Sequence, residues 1–338
     1  MLNLLSNDFI FELNMSKIDV KDRKILYELD VNARQSFSKI AKKVGLSKSS
    51  VSYRINRLEN EGVIQNYYTF IDGIRLGYVI LRLYIIYQYT TKEIENEIIE
   101  YFLKNKATVA IYSIDGRYDL EIIFWIKDIN QFYNIWNDTL KRYSDYFQDQ
   151  VLSFYIKYIT FKNSYLIYET KNNFHNQNVD MMGGGEQVKI DETDYNILKI
   201  ISSNARMPLS EIAKKIKINP DTICYRLNKL KKNRIIQGFR VNIDYSKLGY
   251  QYFKTDIYLK DYIQRKKIIN FIKTNPHLIS INETTGVSHL ELELHLKSLL
   301  HLNEVMNEIQ TRFPLAVRNY KYFNFQKIHK YTFFPEDY

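Results

Sequence analysis

An internal duplication constrains this chain more than any other feature of its sequence. At a shift of 172 residues, residues 18–78 align without gaps on residues 190–250, and 24 of the 61 aligned positions are identical. A fainter match at a shift of 170 places residues 98–123 on residues 268–293 and superposes Gly116 on Gly286. A repeat of this length exceeds a solenoid unit. The 338 residues are therefore interpreted as two copies of a whole two-domain protein.

The first unit of each copy has the pattern of three short helices. Asp19 and Asp191 stand as N-caps of the first helix, and the second helix has apolar residues at the i, i+3, i+4, i+7 spacing of one buried face. The third helix is predicted to begin after Ser47 in copy one, and at Pro220 after the N-cap Asn219 in copy two. Two short helices joined by a tight turn, the second with a polar and basic free face, indicate a helix-turn-helix.

Excess positive charge is confined to these two units. Residues 17–72 carry 11 Lys and Arg against 7 Asp and Glu, and residues 189–244 carry 12 against 6, which together account for the net charge of +10. A polar helix face alone is typical of any solvated surface, whereas charge confined in this way indicates phosphate binding. The residues predicted to contact DNA lie on or beside the third helix of each copy: Lys42, Lys43, Ser47, Lys48, Ser49, Ser50, Ser52, Tyr53, Arg54, Arg57, Lys214, Lys215, Asn219, Asp221, Thr222, Tyr225, Arg226 and Lys229.

The second unit of each copy alternates strands and helices in the order βαββαβ, which predicts a ferredoxin-like sandwich. Helices cover only one face of such a sheet, yet both faces of the strand predicted at 78–87 are apolar. Leu81, Leu83 and Ile85 lie on one face, and Ile80, Tyr84 and Ile86 on the other. The uncovered face needs a partner, so the two sandwiches are expected to pair sheet to sheet within one chain.

Six segments follow from the repeat: an N-terminal extension at 1–16, helix-turn-helix domains at 17–74 and 189–246, ferredoxin-like domains at 75–168 and 247–338, and a linker at 169–188. The linker is expected to be flexible because it is polar, unpatterned and contains Gly183, Gly184 and Gly185. Whether residues 1–14 belong to the natural protein stays open, since the sequence from Met15 also reads like a protein start.

The pattern IDVKDRKIL…NARQSFSKIAKKVGLSKSSVSYRINRLENEGVI…LGY resembles the leucine-responsive regulatory protein/AsnC (Lrp/AsnC) family of bacterial and archaeal transcription regulators. The resemblance covers nearly the whole chain, twice. It implies an α+β fold in which two winged helix-turn-helix domains alternate with two ferredoxin-like domains that pair through their sheets.

The resemblance also implies an amino acid effector site at a Gly-x-Tyr-Asp turn, here Gly116, Arg117, Tyr118 and Asp119. Copy two has Gly-Val-Ser-His at the corresponding positions 286–289, which lack the aromatic ring and the carboxylate. Copy two also has Lys217 and Arg234 where copy one has Gly45 and Gly62, at turns expected to be left-handed.

These features predict a cytoplasmic, nucleoid-associated regulator that binds specific sequences of double-stranded DNA. We expect no enzymatic activity, no metal and no cofactor other than an amino acid effector, and an intrachain pseudo-dimer able to assemble further. The single cysteine, Cys224, excludes an intrachain disulfide. The most apolar run is far shorter than the roughly 20 residues of a membrane span, and the N-terminus lacks the basic region of a secretory signal.

Two alternatives remain open from the sequence. The first is an architectural chromatin protein with low sequence specificity. The second is an enzyme, because some relatives of the family are sirohaem decarboxylases, which would be expected to place His and Arg around a tetrapyrrole pocket. His289 and His295 share a strand face, but the structured units of copy one contain no histidine, since His175 falls in the linker.

Overall fold

The computed structural model describes residues 18–168 and 179–335, and in both copies helices precede a connecting strand and a βαββαβ unit. The elements of copy one are α1 (Val20–Val31), α2 (Phe37–Val44), α3 (Lys48–Asn60), β1 (Ile64–Ile71), β2 (Val79–Tyr87), α4 (Lys92–Leu103), β3 (Thr108–Gly116), β4 (Leu120–Ile126), α5 (Ile129–Tyr143) and β5 (Phe147–Phe161). The α+β class with two helix-turn-helix units is confirmed.

Copy two follows a short strand, β6 (Val179–Gly183), and repeats the order of copy one. Its elements are α6 (Glu192–Ser203), α7 (Leu209–Ile216), α8 (Pro220–Lys232), β7 (Ile236–Ile243), β8 (Gln251–Leu259), α9 (Arg265–Ile272), β9 (Leu278–Thr285), β10 (Leu290–Leu296), α10 (Leu299–Arg312) and β11 (Val317–Tyr331). The predicted extension at 1–16 lies outside the described residues.

Two long strands join the ferredoxin-like units into one ring. The first part of β5 pairs with β2 of its own copy, and its second part pairs with β9 of copy two. In the same way β11 pairs first with β8 and then with β3 of copy one. Eight strands of the described chain therefore close in the order β2-β4-β3-β11-β8-β10-β9-β5, and β5 returns to β2. The sheets pair within one chain by exchanging strand ends, so the two sheets form one barrel.

The alternation along β2 separates two environments. Leu81, Leu83 and Ile85 pack beneath the helices of copy one. Tyr84 lies on the other face, where its ring stacks on Tyr118 with 4.3 Å between centroids. Tyr84, and not Leu83, therefore faces copy two.

Buried charges occupy the space between the two halves of the barrel, which the sequence pattern did not predict. Arg82 Nε lies 3.2 Å from Glu121 Oε1, and Arg82 Nη1 donates to Glu291 Oε2 at 2.8 Å. Lys254, which is the equivalent of Arg82 in copy two, lies 2.9 Å from Glu291 and donates to Asp256. Arg82 thus faces one carboxylate of each copy, and Lys254 faces two carboxylates of its own copy, which compensates part of the cost of burying each cation.

The structure differs from the predicted flexible linker at residues 179–183. Residues 169–178 lie outside the described residues, but residues 179–183 form β6 against β5. Gly183 has a φ of 90° and its N–H donates to the buried carboxylate of Asp72 at 3.0 Å. A Cβ at this position would lie 2.2 Å from the carbonyl oxygen of Ile156, so close approach of two strands requires this glycine.

Candidate nucleic-acid interface

The helices α3 and α8, here called the recognition helices, begin where the sequence predicts. Ser47 Oγ accepts from the N–H of Ser50, and Asn219 Oδ1 accepts from the N–H of Asp221, so each helix has a side-chain N-cap. Pro220 occupies the first helical position. Buried apolar residues at helical spacing fix each recognition helix to its domain: Val51, Ile55 and Leu58 in α3, and Ile223, Leu227 and Leu230 in α8.

The turn before each recognition helix has the predicted left-handed backbone. Gly45 has a φ of 66° and Lys217 a φ of 62°, and both N–H groups donate to the carbonyl of an alanine in the preceding helix. Gly62 and Arg234 repeat this pair after the recognition helices, with φ values of 66° and 55°. Copy two thus keeps the turn geometry of copy one without glycine, although a side chain in this region costs about 1 kcal/mol.

The face of each recognition helix that points away from the core is polar and open. Tyr53 is 71% exposed and Tyr225, its equivalent, is 69% exposed. The other exposed predicted contacts are Lys42, Lys43, Ser47, Lys48, Ser49, Lys214, Lys215, Asn219, Asp221, Thr222 and Lys229, while Ser50 and Ser52 are half-buried. A continuous polar face of this kind matches the part of a helix-turn-helix that enters the major groove.

Three arginines of the predicted interface are engaged within the protein. Arg54 Nη1 lies 2.7 Å from Asp19 and 2.8 Å from Asp22, and Arg226 makes the equivalent pairs with Asp191 and Asp194. The hydrogen bond from Arg226 holds the pKa of Asp191 below its usual value. These pairs tie the recognition helix to the first helix, and contacts of Arg54 and Arg226 with DNA stay predictions.

The position of Arg57 differs from the prediction made from the sequence. The sequence predicts that it projects freely from the outer face of α3, but its Nη2 donates to the buried carboxylate of Asp22 at 2.5 Å. Its helical position places it close enough to Asp22 to compensate that carboxylate. Lys229, its equivalent in copy two, is exposed. Lys43 likewise forms an ion pair with Glu28. Contacts of these residues with phosphate stay predictions.

A pair of arginines that the sequence reasoning missed holds the two helix-turn-helix units together. Arg34 Nη1 donates to the carbonyl of Ala205 at 2.6 Å, and Arg206 Nη1 donates to the carbonyl of Ala33. β1 and β7 also pair antiparallel as a ribbon, here called the connecting ribbon. The identical Asn-Ala-Arg of both copies was the available signal, but its role appears only when the copies are paired.

The predicted effector turn is engaged inside the protein. Arg117 Nη1 donates to Tyr258 at 2.7 Å and to Asp256 at 3.1 Å. Tyr118 is buried, and Asp119 accepts from the N–H of Tyr87 at 2.7 Å. The backbone of Gly116 pairs with β11. An effector at this turn would have to displace these contacts.

Three histidines of copy two, His277, His295 and His301, belong to an aromatic cluster. His295 hydrogen-bonds with Tyr165 Oη at 3.1 Å, and burial lowers the pKa of His295 to about 3. His277 is near His301, with 4.7 Å between ring centroids. His289 Nδ1 accepts from the N–H of Leu259. Among the described residues, no group of His, Cys, Asp and Glu has the arrangement of a metal site.

No helix within residues 18–168 or 179–335 is both long and apolar enough to cross a membrane.

Known proteins resemble the chain in sequence, both in a domain family and in individual relatives. A family model for winged helix-turn-helix DNA-binding domains matches residues 18–65 and again residues 190–237. The regulatory protein AsnC of Haemophilus influenzae is 31% identical over 118 residues, which are 35% of this chain and 79% of AsnC. The regulator Ptr1 of Methanocaldococcus jannaschii is 31% identical over 112 residues, which are 33% of this chain and 74% of Ptr1.

Solved structures of a tandem protein share the fold over most of the chain. The siroheme decarboxylase NirDL superposes with a TM-score of 0.61 and 13% identity, over 93% of each chain. This likeness establishes the tandem architecture, whereas the sequence similarity is to single-copy regulators. The chain therefore belongs to the Lrp/AsnC family, as a tandem of two family units.

Proposed function

We propose that this chain is a sequence-specific transcription regulator that binds double-stranded DNA through both helix-turn-helix units and recognises two unlike half-sites. The observation that carries this proposal is the joining of two exposed recognition helices by Arg34, Arg206 and the connecting ribbon. Because the two recognition helices are held at a fixed distance from each other, the two half-sites must lie at a fixed spacing, about one turn of the DNA helix or a multiple of it.

The asymmetry follows from the first residues of the recognition helices. Lys48 and Ser49 of copy one correspond to Pro220 and Asp221 of copy two, and these N-terminal positions are the ones that usually reach base edges. A cation and a hydroxyl are thereby replaced by an imino acid and a carboxylate. Tyr53 and Tyr225 are shared, so we assign them to positioning on the backbone.

Selection of bound duplexes from a random pool tests this reading. We expect an enriched motif with two different halves. A perfect palindrome would contradict recognition of two unlike half-sites. A single half-site would mean that copy two contacts only the DNA backbone. No enrichment at all would favour an architectural chromatin protein.

A head-exchange variant sharpens the test. Pro220→Lys, Asp221→Ser, Thr222→Ser and Cys224→Ser together give α8 the initial residues of α3 at exposed positions. The selected site should then become more nearly palindromic. An unchanged motif in this variant would show that these positions do not read bases.

Salt dependence tests the phosphate contacts separately. Each contact adds about 0.9 to the slope of log affinity against log salt. Lys48→Ala should reduce the slope, whereas Lys141→Ala, which removes an exposed lysine of α5 in the ferredoxin-like unit, should not. Affinity that is flat between low and physiological salt would remove the electrostatic part of the proposal.

The enzyme reading is the second candidate, and the fold shared with NirDL is the observation that favours it. Against it, both His295 and Arg240, which line a cavity of about 690 Å³, are engaged by other residues. A purified chain without Soret absorbance that leaves added sirohaem unchanged would exclude this reading. Conversion of sirohaem would overturn our assignment as a non-enzyme.

A further inference from the structure

Two cavities lie between the connecting ribbon and the barrel, at equivalent places in the two copies. The copy-one cavity is lined by Thr69 of β1 and Trp125 of β4, and the copy-two cavity by their equivalents, Val241 of β7 and His295 of β10. The cavities adjoin, since Tyr158 and other aromatic residues line both. The duplication therefore produced two versions of one site.

The copy-one cavity is nearly filled. The ring of Trp125 lies against Tyr78 and Phe334, with centroid distances of 5.7 and 6.2 Å. It also covers Gly73, where a Cβ would lie 2.4 Å from the indole. The remaining volume is about 90 Å³, which leaves room for water or a very small molecule.

The copy-two cavity is open. Its volume is about 690 Å³, within the roughly 300–1,000 Å³ of small-molecule sites. His295 stands where copy one has Trp125, and Asn242 stands where copy one has Phe70. Both replacements put a smaller and more polar side chain at the wall, so one copy has filled this site and the other has kept it open.

The charged groups that line the copy-two cavity are either engaged by other residues or exposed. Arg240 makes a bidentate ion pair with Asp30 and also donates to the carbonyl of Phe161. Asp244 accepts from both the N–H and the hydroxyl of Ser246. Lys327 is exposed. A zwitterionic amino acid would therefore find no buried pair of opposite charges, and binding it without one would be costly.

Uncharged hydrogen-bonding groups remain available at the cavity. The buried Oδ1 atom of Asn324 has no hydrogen-bond partner among the described residues. Within the same described residues, the hydroxyls of Tyr112, Tyr158 and Tyr331 make no hydrogen bond either. Tyrosine rings offer stacking surfaces, while amides and phenols match the donors and acceptors along the edge of a nitrogen heterocycle.

We propose that the copy-two cavity binds one uncharged planar nitrogen heterocycle of nucleoside size per chain. Its ring stacks on the tyrosines, and its polar edge hydrogen-bonds with Asn324 and the free phenols. The site is distinct from the turn at residues 116–119, none of which lines this cavity.

Occupation of this cavity would act on the DNA-binding units. The ligand touches β7 of the connecting ribbon on one side and β11 of the barrel on the other. It would therefore favour one position of the ribbon, and with it one arrangement of the recognition helices. This regulatory step rests on the proposed function, whereas binding of the ligand does not.

Calorimetric titration of the full chain tests the site, with adenosine and guanosine as probes and L-leucine and L-methionine in parallel. We expect saturable binding of a nucleoside at one per chain and none of the amino acids. His295→Trp reproduces the filled copy and should weaken binding by more than about tenfold, because the indole takes the ligand's volume. Trp125→His is the matched control and should leave affinity unchanged.

Asn242→Phe guards against a folding defect in the His295 variant, because Asn242 is only half-buried and Phe70 stands at its equivalent. It too should weaken nucleoside binding by about tenfold or more. The site is overturned by absence of nucleoside binding, by a stoichiometry of two, by unchanged affinity in the Asn242 variant, or by binding of the amino acids instead. If a nucleoside binds but DNA affinity does not change, the regulatory step alone is overturned. If the chain binds a nucleoside but binds no DNA, the result counts against the proposed function alone.

Discussion

The buried pair of Asp30 and Arg240 provides a stringent test of how the copies are joined. Asp30 lies at the end of α1 in copy one, and its carboxylate accepts from Arg240 of β7 at 2.8 and 3.0 Å. It also accepts from the N–H of Asn163 at 2.6 Å. Asp30→Ala removes these three hydrogen bonds and leaves a buried guanidinium behind.

The expected loss follows from what Arg240 retains. Breaking a buried pair by removing one partner costs about 3–5 kcal/mol, because the remaining charge is uncompensated. Arg240 keeps Asp180 at 3.7 Å and its hydrogen bonds to Thr160 and Phe161. We therefore expect a loss near the lower end, about 3 kcal/mol in the free energy of unfolding.

Copy two supplies the matched control. The residues equivalent to Asp30 and Arg240 are Ser202 and Tyr68, which make no ion pair. Asp30→Ser combined with Arg240→Tyr should therefore recover most of the lost stability, since exchanging a whole buried pair is often close to neutral. Urea unfolding followed by tryptophan fluorescence measures both variants. A loss below about 1 kcal/mol for Asp30→Ala, or no recovery in the double variant, would refute this reasoning.

Four further substitutions test three separate features. Burial raises the pKa of Glu121 from 4.5 to about 7, so the folded chain binds this proton more tightly than the unfolded chain and the free energy of unfolding should fall as pH rises from about 4.5 to 7. Glu121→Gln should remove this fall when unfolding is measured against pH. An unchanged pH profile in the variant would contradict the prediction. Lys217→Gly should raise the free energy of unfolding by about 1 kcal/mol, whereas Gly45→Ala should lower it; equal signs in chemical unfolding would argue against the left-handed turns. Tyr84→Ala should cost about 3–5 kcal/mol in the same assay, because its stacked ring lies between the copies, and a negligible cost would place the pairing elsewhere.

Local sequence signals predicted the elements well. Asp19 and Asp191 cap the first helices, and the strands and helices of both ferredoxin-like units follow the predicted order βαββαβ. These features depend on N-caps and on apolar periodicity over a few residues, which a single sequence displays directly. The duplication strengthened them, since each pattern was present twice.

Long-range pairing could not be predicted in the same way. Gly183 is predicted to lie in a flexible linker, but it is required by a positive φ and by the close approach of a neighbouring strand. A glycine in the sequence alone does not distinguish these two roles. Arg82 reads as an interruption of an apolar strand, and its partner Glu291 lies 209 residues away. The copy-two cavity was likewise hidden, because His295 becomes informative only when it is superposed on Trp125.

The charges inside the barrel explain why the two copies pair with each other. Copy one contributes Arg82 and Glu121, whereas copy two contributes one cation, Lys254, and three carboxylates, those of Asp256, Glu291 and Glu293.

Pairing two units of the copy-two kind would bury six carboxylates against two lysines, and unpaired buried carboxylates are strongly disfavoured. In the observed arrangement Arg82 contacts Glu291 across the interface at 2.8 Å, so copy one supplies the cation that copy two lacks. Unlike pairing is therefore built into the interior of the barrel. It is this pairing that leaves the two recognition helices, and the two cavities, free to differ.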